Sequence, residues 1–449
     1  MKPAASKPVA SKDGARRAAV DVVLAVDRDK AYANLLLPRL LRERGLSGQD
    51  AGFATEIAYG TLRWQGVLDA VIAEASGRTV TSLDVEVRAV LRIGAYQLLH
   101  MRVPTHAGVS TTVEVGKEVA GHRTSGLVNA VMRRISERDW ASWVNRVAPA
   151  DVVGRLAFEH GHPEWVARAF LEALGGDVAE LERALAADRP ATHLAARPGA
   201  IERDALLRQC GDAATAGPFS PYAVRLAGGD PSRIAAVKDG RARVQDEGSQ
   251  LVALAMARAP VEGRDQRWLD MCAGPGGKAA LLGGLLPAGG RLVAADVHPH
   301  RAGLVQAGQA ATAIVADGTR PAWQAHSFDR VLLDAPCTGL GALRRRPEVR
   351  WRRQPADVER LVGLQTALFD AAVDAVRPGG VIVYATCSPH LAETRGVVGA
   401  GLARNPDLEQ VDARPLFAGV PELGAGPDVQ LWSHRHGTDA MYVALLRRK

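Results

Sequence analysis

The sequence predicts an α/β protein: an all-α domain, a small connecting α/β region and a Rossmann-like doubly wound domain, in that order. Three observations carry this expectation. From about residue 244 onward, short apolar runs and glycine turns alternate with helical spacers, the pattern of buried, mostly parallel strands. Between about 14 and 138, apolar residues recur at helical spacing and no strand-like run intervenes. With 449 residues, the chain is also long for a single hydrophobic core.

Residues 1–13, rich in Ala, Lys, Ser and Pro, lack the apolar core of a secretory signal and read as a disordered basic tail. Over 14–145, an all-α domain is expected from three stripes. They are Ala18, Val22, Leu24 and Val26; Val87, Val90, Leu91, Ala95, Leu98 and Leu99; and Leu127, Val128, Val131 and Ile135. Turn clusters at 44–48 and 102–105 separate the helices. The connecting region, 146–240, mixes helical pieces at 164–174 and 178–187 with a short strand candidate at 223–226. In the last domain, 241–449, strand runs are expected at 268–271, 291–296, 313–317, 330–334 and 380–386. Three of them end in an aspartate and Asp270 sits in the first, so the acids converge on the ligand-binding rim of such a sheet.

Composition narrows the class. A hydrophobic content of 47% with 23% charged residues suits a soluble protein, and no apolar run is long enough to span a membrane. Four cysteines without paired spacing suit a reducing cytoplasm. Residues 1–150 hold 21 of the 56 Lys/Arg but only 15 of the 49 Asp/Glu, so the net charge of +7 is concentrated at that end. Such an excess points to a polyanion-contacting module, although a solvated basic surface gives the same count. A monomer is expected.

The loop Asp270-Met-Cys-Ala-Gly-Pro-Gly-Gly-Lys278 is not a P-loop, which needs Gly at 272 and Ser or Thr at 279, where Cys272 and Ala279 stand. Nor do Gly274, Gly276 and Gly277 have dinucleotide-fingerprint spacing. What remains is a tight turn that lets backbone approach a ligand with no phosphate to cradle. Asp296 ends the next strand run, where a carboxylate can accept both hydroxyls of a ribose, and Asp317 ends the third, placed for an adenine amino group. The ordered set describes an S-adenosylmethionine site made of Cys272, Ala273, Gly274, Pro275, Gly276, Gly277, Lys278, Asp296, Asp317 and Asp334. A purely structural strand turn is the alternative.

Two cysteines sit just past strand runs, Cys337 in Asp-Ala-Pro-Cys and Cys387 in Thr-Cys-Ser. An isolated cysteine is most often a core residue, a reading that suits Cys210. Around Cys337 and Cys387, flanking Pro, Thr, Ser and Gly favour exposed strand-end loops instead. A thiolate can add to carbon 6 of a pyrimidine, make carbon 5 nucleophilic toward a methyl donor, and leave again. An acid at ring nitrogen 3 eases the addition, and Asp334, three residues before Cys337, is the candidate if it holds a proton or takes one from the ring. Cys337 can assist the final elimination, directly or through water. No paired His or Cys spacing supports a metal, and none is expected.

These motifs carry a resemblance. From Val244-Gln-Asp-Glu-Gly-Ser-Gln250 to the carboxyl terminus, the chain resembles the RNA 5-methylcytosine methyltransferases. The stretches Ile93-Gly-Ala-Tyr-Gln-Leu-Leu99, Val113-Glu-Val and Val128-Asn-Ala-Val-Met-Arg133 look like the NusB-type RNA-binding domain of their bacterial RsmB/Sun (Fmu) branch. The resemblance implies methylation of a cytosine of 16S ribosomal RNA. It implies Cys387 as nucleophile, Cys337 as release residue and Asp334 as the acid contacting the base. Two departures, Gly274 for Ala and Thr338 for Ser, remove no reactive group, while Pro389–Thr394 is an unusual loop for the family. The alternatives are the same chemistry on tRNA or another rRNA site, and a non-catalytic RNA-binding assembly or antitermination factor.

RNA contacts are expected from the run 344–353, which holds six arginines, one acid and one tryptophan directly after Cys337. Arg344, Arg345, Arg346, Arg350 and Arg353 would pair with phosphates and Trp351 would stack on a base. A solvated charged face is the plainer reading of such a run. The target nucleotide would have to leave its stack to reach a thiolate.

Overall fold

A computed structural model describes residues 14–449. The tail expected over 1–13 lies outside the described residues. The chain forms two compact units, Met1–Arg168 with Leu343–Arg353, and Ala169–Ala342 with Gln354–Lys449.

The first unit is all-helical. Its opening helix, Gly14–Asp29, turns Ala15, Ala18, Ala19, Val22, Val23 and Val26 inward, the stripe its sequence spacing dictates. Val85–His100 is the central helix, and its buried Arg92 is neutralised by Asp69 at 2.6 Å and Asp27 at 3.1 Å. The unit continues past the boundary expected at 145. Trp143, Val144 and Phe158, from the helices Trp140–Val147 and Val152–Glu159, join the same core as the opening and central helices. Both helices start on capping aspartates, Asp139 accepting from the Ser142 N–H at 2.8 Å and Asp151 from the Gly154 N–H at 3.0 Å.

The arginine run belongs to this unit, and its burial corrects the RNA-contact expectation. Arg350 is 0% exposed and donates to the Gly161 carbonyl at 3.0 Å. The Trp351 indole N–H donates to the Arg63 carbonyl at 2.8 Å, and its ring lies so close to Gly66 that a Cβ there would be 2.2 Å from it. Arg352 donates to the carbonyls of Val26, Lys30 and Ala31, at and just past the end of the opening helix, where carbonyls lack intrahelical partners. Arg344 is buried too, and Arg345 and Arg353 are half-buried with partners of their own. Only Arg346 of the expected set is exposed. A guanidinium can satisfy helix-end carbonyls as well as phosphates, and here carbonyls hold Arg350 and Arg352.

The second unit begins with a four-stranded antiparallel sheet of β1 (Thr192–Ala196), β2 (Ala214–Ala216), β3 (Ala223–Leu226) and β4 (Ala242–Val244), in the order β2-β3-β1-β4. A larger sheet follows, from β5 (Arg267–Asp270), β6 (Arg291–Asp296), β7 (Ala311–Val315), β8 (Phe328–Asp334), β9 (Val376–Thr386), β10 (Leu408–Val411), β11 (Val429–Gln430) and β12 (Tyr442–Arg448). Its order is β7-β6-β5-β8-β9-β12-β10, with β11 against β12. The first five strands run parallel, and β12 inserts antiparallel beside β9. Alternation along β9 fills two cores. Val381, Val383 and Ala385 face the helix Glu247–Arg258, whereas Ile382 and Tyr384 face Ala356–Ala375. Where both faces are covered, as in β8 and β9, the parallel strands read as continuous apolar runs, whereas β7 at the edge is largely exposed. Among the described residues no helix is long and apolar enough to cross a membrane.

Candidate active site

Parallel strands share one carboxyl rim, and the chemistry-bearing residues collect there. Asp270 closes β5, Asp296 closes β6 and Asp334 closes β8, while Cys387 follows β9 directly. Asp334 is level with Ala385 in the β8–β9 register, so the loops after these strands start side by side.

The glycine loop is held by its own backbone and by two side chains. Ala273 N–H bonds to the Ala295 carbonyl at 2.8 Å, and Gly274 N–H bonds to Asp296 Oδ2 at 3.1 Å. Arg301 reaches back to the Gly274 carbonyl and lies 3.4 Å from Asp296. A Cβ at Gly274 would stand 2.4 Å from Asp296 Oδ2 and 2.7 Å from the Arg301 side chain, so only glycine allows this approach. Gly276, at φ +100°, then turns the chain into the helix Gly277–Leu285, whose second residue is Lys278. Asp317 is exposed, two residues beyond β7, and its Oδ1 accepts from the Thr319 N–H and hydroxyl at 2.9 and 2.7 Å.

Asp334 has a charged neighbour close in space. Lys278 Nζ lies 2.6 Å from Asp334 Oδ2. Burial acts to lower the Lys278 pKa, but the charge and hydrogen bond of Asp334 raise it above its ordinary value, aided by the charges of Cys387 and Asp270. The carboxyl that burial holds neutral is Asp270. It is 1% exposed, and burial with the charge of Asp334 pushes it up to about 7, against the opposing charge of Lys278 and the backbone N–H of Cys272.

That shift makes a prediction about stability. The folded carboxyl keeps its proton up to about pH 7, whereas an unfolded aspartate loses it near pH 4. The stabilisation is therefore complete below about pH 4 and is lost as pH rises through 7. Asp270→Asn has no such loss. Between about pH 5 and about 8, the wild-type protein should lose roughly 3 kcal/mol of unfolding free energy relative to the variant. Denaturant melts at the two pH values measure this; a difference that does not change with pH would refute it.

The two cysteines meet. Cys337 Sγ and Cys387 Sγ are 3.4 Å apart, both half-buried and free of disulfides. The hydrogen bond with Cys387, then burial, then the charges of Cys387, Glu393 and Asp334 hold the Cys337 thiol well above the usual range. Cys272 is also pushed up, by burial and by the charges of Asp270, Asp334 and Asp296, which leaves an inert thiol inside the loop. Among the described residues no three His, Cys, Asp or Glu are arranged to hold a metal ion.

Sequence reasoning missed several of these parts. Asp270 was visible as a strand-end acid but not as a buried one. Arg301 carried no signal, since its role depends on the loop folding back onto it. Glu393, Gln365 and Ser388, which brace the cysteine loops, lie far from Cys337 in sequence, and only the unusual loop 389–394 hinted at one of them.

With this geometry in view, comparisons with known proteins are specific. Residues 255–447 match the family described as 16S rRNA methyltransferase RsmB/F, and residues 13–137 match the NusB family. A Mycobacterium tuberculosis (strain H37Rv) protein named as a methyltransferase is 54% identical over 97% of each chain. The ribosomal RNA small subunit methyltransferase B of Pseudomonas syringae pv. tomato is 34% identical over 96% of each. In fold, the chain is similar to the crystal structure of PH0851, with a TM-score of 0.83 at 21% identity over 98% of this chain and 100% of that one. It is also similar to that of NSun6 from Pyrococcus horikoshii with SFG, with a TM-score of 0.54 at 19% identity over 64% and 98%.

Proposed function

The chain belongs to the 16S rRNA methyltransferase RsmB/F family, and from that membership we propose that it methylates carbon 5 of a cytosine in 16S ribosomal RNA through a covalent bond from Cys387 to ring carbon 6. Its cofactor is S-adenosylmethionine. The site suits that cofactor, since the loop at Gly274 leaves no room for a side chain and Asp270 presents a buried carboxyl at the same rim. Residues 272–278, Asp296 and Asp317 would hold it, with Asp334 at the same rim. When bound, it supplies an electrophilic methyl group on a sulfonium.

The observation that carries the reading is the 3.4 Å contact between two thiols at the ends of adjacent parallel strands, beside the cofactor loop. Cys337 is held as a thiol, and Lys278 gains from negative charge on Cys387, which supports Cys387 as the nucleophile. Cys387 adds to carbon 6, and carbon 5 takes the methyl group as the donor's carbon–sulfur bond breaks to leave a neutral thioether. The Lys278–Asp334 pair faces the ring as donor and acceptor. Forming the carbon–sulfur bond removes the largest cause holding the Cys337 proton. Cys337 can then give its proton to water, take the carbon-5 proton, and let Cys387 depart as thiolate.

The basic helical unit, with exposed Arg346, is suited to contact RNA largely through its backbone. The reaction belongs in the cytoplasm, where rRNA is present and thiols stay reduced.

The deciding experiment is transfer of labelled methyl to unmethylated 16S RNA, followed by nucleoside analysis. Labelled 5-methylcytidine at a single position is expected. Label in another nucleoside would overturn the chemistry. Transfer to tRNA or 23S RNA alone would overturn the substrate.

A further inference from the structure

The loop after Cys387, unusual in sequence, ends in a buried acid that the reaction as described does not use. Glu393 is 0% exposed. Its Oε1 accepts from the Thr338 N–H at 2.7 Å and from Gln365 Nε2 at 3.1 Å, and its Oε2 accepts from the Thr338 hydroxyl. Thr338 is the residue directly after Cys337. The same threonine hydroxyl lies 3.1 Å from Ser388 Oγ, the residue directly after Cys387. Gln365 also donates to the Pro336 carbonyl at 2.9 Å, on the other side of Cys337. The Glu393 carbonyl accepts from the Tyr384 hydroxyl at 2.7 Å, which ties it to the strand that delivers Cys387.

We propose that Glu393 is a positioning residue for the methyl transfer, its buried carboxylate locking the Cys337 loop to the Cys387 loop so that a proton passes between the two sulfurs and carbon 5 in the release step. The inference rests on the covalent reading given above. Three donors converge on the two oxygens, an environment that suits an acceptor-only carboxylate. Buried charges are normally paired with a cation, yet every donor found at these oxygens is neutral. A neutral amide bracing the same loops would avoid that desolvation cost. The negative charge therefore has a use, and Cys337 is the titrating group beside it. A neighbouring negative charge keeps the Cys337 proton on until Cys387 is consumed, and then makes the Cys337 thiolate a stronger base.

The test compares Glu393→Gln, Thr338→Val and Cys337→Ala with the wild-type protein from about pH 6 to about 9, reading product, denaturant-resistant protein–RNA adduct, and KM for RNA and cofactor. E393Q should lower kcat by about tenfold or more, leave both KM values within about twofold, and accumulate adduct. Its release limb should also move to lower pH, because the charge opposing Cys337 ionisation is gone. T338V keeps the charge, so it should slow release without moving that limb. If E393Q does not fold, T338V decides alone: adduct build-up supports the inference, and wild-type release overturns it. Adduct in C337A but wild-type release in E393Q overturns the inference and leaves the covalent reading intact. No adduct in C337A overturns both.

Discussion

Cys337→Ala is expected to capture RNA and fail to let it go, giving a protein–RNA band that survives denaturant, while Cys387→Ala gives neither band nor product. The two sulfurs share one hydrogen bond but differ in surroundings. Cys337 is held as a thiol by Cys387, by burial and by the charges of Glu393 and Asp334, whereas Cys387 shares that hydrogen bond and interacts favourably with the charge of Lys278. On the proposed roles, removing Cys387 removes the nucleophile, and turnover should fall by on the order of 10⁴-fold or more, to the level at which no covalent route exists. Removing Cys337 leaves addition and methyl transfer possible but takes away the group that accepts the carbon-5 proton. Loss of a positioned base costs roughly 10²- to 10⁴-fold, all of it falling on the release step. Gel analysis of enzyme mixed with cytosine-containing RNA and cofactor reads both outcomes. Exchanged phenotypes would reverse the two roles and keep the reaction class.

Trp351→Ala should unfold the helical unit more easily by about 3 kcal/mol, with little direct effect on RNA affinity under conditions where the protein stays folded. The ring fills the space left open by Gly66 and its N–H satisfies the Arg63 carbonyl, so truncation leaves a cavity and an unpaired acceptor together. Arg346→Ala is the contrast. Its side chain is exposed, so stability should hold while RNA binding and its salt dependence weaken. Urea melts and RNA titrations on the two variants separate these effects. A W351A protein of wild-type stability with lost RNA affinity would restore the stacking role for Trp351.

Much of the site is legible in the amino-acid sequence, and the reason is local. The strands that carry Asp270, Asp296, Asp334 and Cys387 are covered on both faces, so each reads as a short apolar run, and parallel pairing sends every carboxyl end to one rim. The glycine loop is legible because close backbone approach excludes side chains. The strand Tyr442–Arg448, inserted antiparallel beside β9, is not, because no helical spacer marks it as part of the alternating pattern.

By itself, then, the sequence determined the α-then-α/β order, the glycine loop, the strand-end acids and the pair of cysteines, all of which depend on neighbours a few residues away. Partners distant in the chain were decided by the tertiary structure alone. Lys278 meets Asp334 across 56 residues, Thr338 meets Glu393 across 55, and Trp351 meets Arg63 across 288. The arginine run shows the physical reason most plainly. A guanidinium can donate to a phosphate or to a helix-end carbonyl, and only the packing of distant helices decides which acceptor it finds.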